Sequence, residues 1–244
     1  MYRTNSGVVI EIRGNPSEAE YYARYVKPLF EAFTAVEATS TRRHYKGGYV
    51  VGIRSCKKKA YSMFHEFLGF PIGEKCLRVQ VPGVILKERD RWASYIRGVF
   101  DTDGSVYARR TGRKSGKRHP VVDISSSSRR HLEQLHMMDR ALGFNCWIES
   151  THIRMGGWST VSRFFREIRP HNLTHIKRMI RIYAGRGSQA WYGEGLDWAK
   201  SLNPLSANPL FARTRGFESH PLRGGCIVWA GEIPAAPTHS IETS

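Results

Sequence analysis

The sequence lacks the features that mark several classes of protein. No apolar run approaches the roughly 20 residues that a membrane-spanning helix needs, and Met1–Thr4 does not open a signal peptide. The chain has four widely separated cysteines, Cys56, Cys76, Cys146 and Cys226. Because they form no Cys-x-x-Cys pair, we expect neither a zinc site nor a disulfide framework. These absences predict an intracellular, cytoplasmic protein with reduced thiols that is not secreted and has no membrane partner.

Acidic residues are scarce as well. The 244 residues include 21 Asp and Glu against 38 Lys and Arg, which gives a formal net charge of +17. An excess of this size on a folded chain favours a polyanionic partner, most often nucleic acid. With 41% hydrophobic residues the chain has enough apolar side chains for a buried core, which argues against wholesale disorder.

Two parts of the chain resemble one another. Val9–Ile12 and Val121–Ile124 lie 112 residues apart, and each reads as a short strand with one carboxylate between apolar residues. A helix follows each strand, and the first helix has the start signal Asn15–Glu18, with a capping residue, a proline and a carboxylate that reaches back. Gly52–Arg54 matches His152–Arg154 at a separation of 100 residues. We interpret residues 8–70 and 121–170 as two copies of one α/β unit.

The second copy is preceded by a segment that the first copy lacks. Arg91–Phe100 predicts a helix, and a strand is predicted over Ser105–Arg110. Gly98 inside the helix costs about 1 kcal/mol relative to Ala, and its missing Cβ allows a second helix to approach closely. Between helix and strand, Asp101 and Asp103 place two carboxylates where a hard cation such as Mg²⁺ can join them to a phosphate. The alternative is a solvated turn that ends at a glycine.

The segment Ile96–Gly104 resembles the motif of the LAGLIDADG (DOD-type) homing endonuclease family. The order of strands and helices around it is also similar to that family's fold, and the resemblance covers residues 1 to about 183. It implies an α+β fold of two pseudo-symmetric αββαββα-type halves, each with an antiparallel saddle sheet. The expected parts are residues 1–91, an N-terminal half without its motif helix, plus the linker; residues 92–183, the C-terminal LAGLIDADG half; and residues 184–244, an irregular, disordered tail.

The resemblance also implies a function. Family members are site-specific endonucleases that bind double-stranded DNA through the major groove and hydrolyse phosphodiester bonds with a divalent metal, Mg²⁺ or Mn²⁺. Because no splicing-domain blocks are visible, a free-standing or intron-encoded enzyme is the expected type, and we favour the intron-encoded one. The alternative is a non-cleaving relative that binds nucleic acid, either an RNA maturase or a DNA-binding regulator.

The resemblance assigns roles to the motif residues one by one. Asp103 matches the acid that binds the catalytic metal. Asp101 matches the preceding acid, for which capping and geometry are the expected roles. The residues implied in packing against a second motif helix are Ile96, Gly98, Val99 and Asp101.

Four further residues fall at positions that support catalysis in the family. Asp123 and Glu11 fall where a polar residue reaches the solvent network around the metal. Arg54 and Arg154 fall near the basic residue that helps to polarise the attacking water. Simple DNA contacts or surface ion pairs would give the same pattern at these four positions.

Two runs of basic residues lie at the tips or ends of predicted strand pairs. A charge run is usually a solvated face, but two such runs in a chain of this charge favour contacts to phosphate and to bases in the major groove. The candidate DNA-binding residues are Arg42, Arg43, Lys46, Arg109, Arg110, Arg113, Lys114, Lys117 and Arg118.

The first of the two motifs expected in such a protein is missing from the sequence. Three explanations compete. The gene start is truncated or misassigned and the motif helix is encoded upstream, the chain forms a homodimer through Ile96–Phe100, or the protein is a remnant that binds DNA without cleaving it. We favour truncation, because the repeat places the missing helix directly before Met1.

Overall fold

Each half of the chain builds one antiparallel sheet with helices packed on one face. The structure is a computed structural model that describes residues 1–5, 7–73, 77–110 and 118–185. The first half contains β1 (Tyr2–Thr4), β2 (Gly7–Gly14), α1 (Ala19–Tyr21), α2 (Lys27–Thr34), β3 (Thr39–Tyr45), β4 (Gly48–Ser55) and α3 (Lys58–Tyr61). A 3-10 turn and two π-helical segments extend these helices, over Pro16–Glu18, Tyr22–Val26 and Ser62–Phe67.

The second half repeats this order after a connecting segment. The connection includes α4 (Gly83–Leu86) and a 3-10 turn over Arg89–Arg91. The second half then contains α5 (Trp92–Asp103), β5 (Gly104–Arg110), β6 (Arg118–Ser125), α6 (Arg129–Ala141), β7 (Trp147–Glu149), β8 (His152–Gly156), α7 (Trp158–Ile168) and α8 (Leu173–Ala184).

The two sheets have the same topology. The strand order is β1-β2-β4-β3 in the first sheet and β5-β6-β8-β7 in the second, and all neighbouring strands are antiparallel. Glu11 lies opposite Arg54 in the first sheet, and Asp123 lies opposite Arg154 in the second. The predicted α+β fold and the internal repeat are therefore confirmed. Within the described residues, β1 begins at Tyr2 and no helix precedes it.

The helix that carries the motif is longer than the sequence predicts. The predicted helix ends at Phe100, whereas α5 continues through both acids to Asp103. Thr102 Oγ1 donates to the Gly98 carbonyl at 3.0 Å, and the backbone N–H of Gly104 donates to the Phe100 carbonyl. These bonds satisfy carbonyls at the helix end, so the helix stops only where β5 begins.

Each half has its own hydrophobic core. The first core includes Ile10, Ile53 and Phe64, and the second includes Phe100 and Phe164. The connecting segment contributes to both cores, since Val79 belongs to the first, and Val81 and Ile85 to the second. In the described part of the chain no helix is both long and apolar enough to span a membrane.

Candidate active site

The end of α5 meets the second sheet at Asp103. Ser125 Oγ donates to the Asp103 carbonyl at 3.1 Å, which attaches the helix end to β6. A Cβ at Gly104 would lie 2.4 Å from the Phe100 carbonyl oxygen, so only glycine allows this direct passage from helix to strand. The Asp103 side chain is therefore fixed at the junction of helix and sheet.

The Asp103 carboxylate is partly buried at the end of α5. Thr102 Oγ1 donates to its Oδ2 at 3.1 Å, and no ion pair to Asp103 occurs among residues 1–5, 7–73, 77–110 and 118–185. Burial raises the pKa of Asp103 to about 7; the Thr102 hydrogen bond opposes this rise, and the charge of Glu18 adds to it. A bound cation would stabilise the ionised carboxylate at this position.

This donor set fits a metal ion that is shared with a phosphate. Within the described residues there is no group of three or more His, Cys, Asp or Glu side chains that could hold a metal by itself. Mg²⁺ commonly binds through one or two carboxylates and takes its remaining oxygens from phosphate and water. A single carboxylate without a cationic partner meets that requirement, whereas a closed structural site would need more protein ligands.

Asp101 is placed differently, although it lies only two residues before Asp103. It is fully buried, and its carboxylate accepts the backbone N–H groups of His171 at 2.9 Å and of Asn172 at 3.1 Å. Burial raises the pKa of Asp101 to about 7, and these backbone hydrogen bonds only partly oppose the rise. Asp101 thus binds the start of α8 and is not available to a ligand in solution.

The open face of the second sheet carries a polar network centred on Asp123. Its carboxylate accepts hydrogen bonds from Tyr107 Oη at 3.3 Å, His152 Nδ1 at 2.6 Å and Arg154 Nε at 2.9 Å. Arg154 also forms an ion pair with Glu149 on the neighbouring strand. The hydrogen bonds that Arg154 donates to these two carboxylates raise its pKa, so the guanidinium is charged and held in place.

The first sheet has a related but not identical network around Glu11. Glu11 accepts a hydrogen bond from Tyr2 Oη at 3.1 Å and forms ion pairs with Arg13 and with Arg43, the latter at 4.0 Å. Burial raises the pKa of Glu11, but the hydrogen bond and charge of Arg13 outweigh it and the net pKa is lowered. Arg54 lies opposite Glu11, is exposed, and makes no ion pair within the described residues.

Comparison with known proteins identifies the second half. The LAGLIDADG-like domain family matches residues 92–185. This segment of the chain is therefore similar to a LAGLIDADG-like domain. The family prediction made from the motif is therefore confirmed for this part of the chain, while no curated protein matches the sequence.

Solved structures of the LAGLIDADG homing endonuclease I-SmaMI align with about four-fifths of the chain at low identity. A mutant of I-SmaMI aligns with a TM-score of 0.48 and 10% identity, over 80% of this chain and 86% of the other. I-SmaMI bound to its uncleaved DNA target with calcium ions aligns at 0.46 and 11% identity, over 82% and 87%. I-SmaMI bound to cleaved DNA aligns at 0.42 and 10% identity, over 81% and 85%.

The predicted packing residues of the LAGLIDADG helix are buried. Ile96 and Val99 belong to the hydrophobic core of the second half, together with side chains of the sheet and of α6 and α7. Gly98 is also buried, and Asp101 makes the contacts to the start of α8 described above.

The predicted DNA-binding residues fall into three groups. Arg43 lies beside Glu11 on the open face, whereas Arg42 occupies the alternate position on β3 and stacks at 3.8 Å on the Tyr49 ring. Exposed positions at hairpin ends are occupied by Lys46, Arg109, Arg110 and Arg118. The remaining three residues, Arg113, Lys114 and Lys117, lie outside the described residues, as does the predicted tail from residue 186 onward.

Sequence reasoning missed several members of these networks. Tyr107 and His152 share the open face with Asp123, and strict alternation along β5 and β8 would have placed them there. Glu18 lies near Asp103 and accepts a hydrogen bond from Asn172 at 2.7 Å. No local sequence pattern connects Glu18 with Asn172, because 154 positions separate them.

Proposed function

We propose that this protein is a site-specific, intron-encoded DNA endonuclease that hydrolyses phosphodiester bonds with Mg²⁺ or Mn²⁺. The observation that carries the proposal is the Asp103 carboxylate, which the LAGLIDADG helix delivers to the sheet junction without a positive partner among the described residues. Hydrolysis at a phosphate requires that negative charge be neutralised, and a carboxylate-bound divalent ion does this.

Asp103 is the residue that would hold the metal. When bound, the ion would polarise the scissile phosphate and lower the pKa of a bound water. The chain's own residues orient the reacting groups. Arg154 is held by Asp123 and Glu149 and presents a fixed positive charge. Arg54 of the first half presents a positive charge that forms no ion pair with any described residue.

DNA would lie against the open faces of both sheets. The excess of positive charge attracts the phosphate backbone, and the major groove admits two-stranded antiparallel ribbons such as β3–β4 and β5–β6. We propose that residues 1–91 and 92–183 each cover one half of the target site. Phosphate contacts would come from Arg43, Lys46, Arg109, Arg110 and Arg118. Arg113, Lys114 and Lys117, which follow Arg110 in the sequence and lie outside the described residues, stay in the proposal as further phosphate contacts.

Cleavage of both strands needs a second metal-binding acid. Asp103 is the one acid at the end of a LAGLIDADG helix within the described residues. We propose that a second motif helix comes from a second copy of the chain or from an upstream segment. The same observation favours a second candidate function, a non-cleaving relative that binds nucleic acid.

Substitution of Asp103 separates the two functions. The purified chain is incubated with a supercoiled DNA library and Mg²⁺, beside Asp103→Asn and the control Asp90→Asn, an exposed acid just before α5. We expect nicking by the parent and by Asp90→Asn, and a loss of at least 100-fold in Asp103→Asn with DNA affinity retained. A parent that binds DNA tightly but never nicks it is the non-cleaving relative, and one that does neither contradicts both functions.

A further inference from the structure

One hydrogen bond links the first half of the chain to the loop that holds the end of α5. Glu18 lies in the 3-10 turn after β2, and its Oε1 accepts a hydrogen bond from Nδ2 of Asn172 at 2.7 Å. Its other oxygen, Oε2, accepts the backbone N–H of Asn15 at 3.0 Å. Because both oxygens are engaged, the carboxylate has one orientation.

Asn172 is the centre of this connection and is almost completely buried. Its Oδ1 caps α8 by accepting the backbone N–H of Thr174 at 3.0 Å. The Nδ2 group that donates to Glu18 also donates to the Asp101 carbonyl at 2.8 Å, and the Asn172 backbone N–H donates to the Asp101 carboxylate at 3.1 Å. One amide therefore joins the first half, the start of α8 and the last turn of α5.

Glu18 is packed tightly in this place. A Cβ at Gly14 would lie 2.7 Å from Glu18 Oε2 and 2.5 Å from the Tyr22 ring, so the turn leaves no room for another side chain. Beside it, the rings of Tyr25 and His171 stack at 4.9 Å and form a second contact between the halves. The Glu18 charge is also close enough to Asp103 for the two carboxylates to repel one another.

An amide side chain has a donating and an accepting end, so its neighbours decide which way it points. A carboxylate at position 18 accepts only, and it therefore selects the orientation in which Nδ2 faces Asp101 and Oδ1 caps α8. The opposite orientation would set Asn172 Oδ1 against two acceptors. Loss of the carboxylate weakens this selection, which then rests on the Asp101 carbonyl and the Thr174 N–H alone, and loosens the last turn of α5, where Asp103 lies.

We propose that Glu18 is a positioning residue for Asp103 and acts through Asn172 and Asp101. The inference rests on the proposed function, because it assigns Glu18 to support the metal-binding end of the LAGLIDADG helix. It also makes the first half a contributor to the site of the second half.

Glu18→Gln and Asn172→Asp test the connection, with Glu20→Gln as the matched control. Gln keeps the size of Glu18 but cannot accept both hydrogen bonds, and Asp keeps the α8 cap but loses the donor. Glu20 is exposed, lies in the next helical turn and pairs only with Arg24 among the described residues, so Glu20→Gln changes the charge as Glu18→Gln does without touching the connection. In the double variant a hydrogen bond between positions 18 and 172 can form again in the reverse direction, with Nε2 of the introduced Gln donating to Oδ2 of the introduced Asp.

Two readouts separate positioning from stability. Binding of Tb³⁺ in the presence of a soluble phosphodiester, which supplies the phosphate oxygen, is followed by tyrosine-sensitised luminescence, with Asp103→Asn as the reference for loss of the site. Nicking is measured at saturating DNA and Mg²⁺ and compared with the DNA Kd, while circular dichroism checks folding. We expect Glu18→Gln and Asn172→Asp each to weaken Tb³⁺ binding and to lower the maximal nicking rate by roughly tenfold or more, as for groups that support metal ligands. The DNA Kd should change by less than about twofold, and the double variant should lose less than the two single effects multiplied together.

Parent-like Tb³⁺ binding in a folded Glu18→Gln or Asn172→Asp overturns the positioning role and leaves the proposed function intact. A parent that binds Tb³⁺ through Asp103 but neither binds nor nicks DNA contradicts the proposed function, while the variants still measure the connection. Failure of the parent itself to bind Tb³⁺ through Asp103 overturns both.

Discussion

The two halves of the chain share a strand order and a carboxylate opposite an arginine, but they use that pair differently. In the second half Asp123 and Arg154 are bonded to one another, whereas in the first half Glu11 is paired with Arg13 and Arg43 while Arg54 is exposed. The difference follows from the neighbouring strand. The seven-residue β3 brings Arg43 to Glu11, while the three-residue β7 brings an acid, Glu149, to Arg154. Identical register therefore does not imply an identical charge pattern on the face.

The largest expected effect is the loss of stability when a core phenylalanine is removed from either half. Phe164 and Phe64 are equivalent in the repeat, but Phe164 is completely buried and Phe64 is 8% exposed. Phe164→Ala should lower the free energy of unfolding by about 4 kcal/mol and Phe64→Ala by about 3, because a buried phenyl ring leaves a cavity. Urea unfolding measures both values. A larger loss for Phe64→Ala would contradict the view that the second half has the better-packed core.

A second pair of substitutions compares the stability that the polar networks of the two sheets contribute. Asp123→Ala removes three hydrogen bonds, two of which are donated by His152 and Arg154. It should lower the free energy of unfolding by about 2 kcal/mol. Glu11→Ala should cost about 1 kcal/mol, since Arg13 and Arg43 are substantially exposed and regain water. Thermal unfolding of both variants gives the comparison, and equal losses would show that the bonded pair of the second half has no special stability.

The buried histidine of the second half predicts a pH dependence. His131 contacts Tyr95 Oη at 2.9 Å and Ser126 Oγ at 3.1 Å, and burial lowers the pKa of His131 to about 4. The unfolded chain binds a proton at His131 near pH 6.5, so the contribution of His131 to stability is complete above that pH and is lost as the pH drops toward 4. The slope of this contribution is about 1.4 kcal/mol per pH unit.

The control for this slope is His131→Gln, which can still contact Tyr95. Urea unfolding of parent and variant between pH 7 and pH 5 should show that the parent loses stability relative to the variant as the pH falls. An identical decline in both proteins would assign the acid sensitivity to other groups.

The smallest expected effect is a change in DNA affinity, and it distinguishes the two faces of the first sheet. Arg43 lies on the open face with Glu11, and Arg42 lies on the opposite face against Tyr49. Arg43→Ala should weaken DNA binding a few-fold and reduce the salt slope of the affinity by about one unit, as expected when one phosphate contact is lost. Arg42→Ala should change both less, and the reverse order would place DNA on the helix-covered face.

Much of the fold followed from local signals in the sequence. Strand alternation around Glu11 and Asp123 and the glycine and acids of the motif are short-range patterns, and they fixed the repeat and the LAGLIDADG segment. The helix end at Asp103 was misplaced, because Thr102 and Gly104 complete the last turn through bonds that residue spacing does not reveal. The link from Glu18 to Asn172 could not be found from sequence, since it depends on how the two halves pack.

The central claim is that Asp103 holds a divalent cation against a DNA phosphate. A crystal structure of the chain with its DNA and Mn²⁺ tests it most directly, because the anomalous scattering of manganese locates the ion. The account predicts an anomalous peak within coordination distance of the Asp103 carboxylate and of one phosphate, with the DNA along the face that carries Asp123 and Arg43. DNA bound on that face with no peak at Asp103, or DNA bound on the helical side, would contradict it.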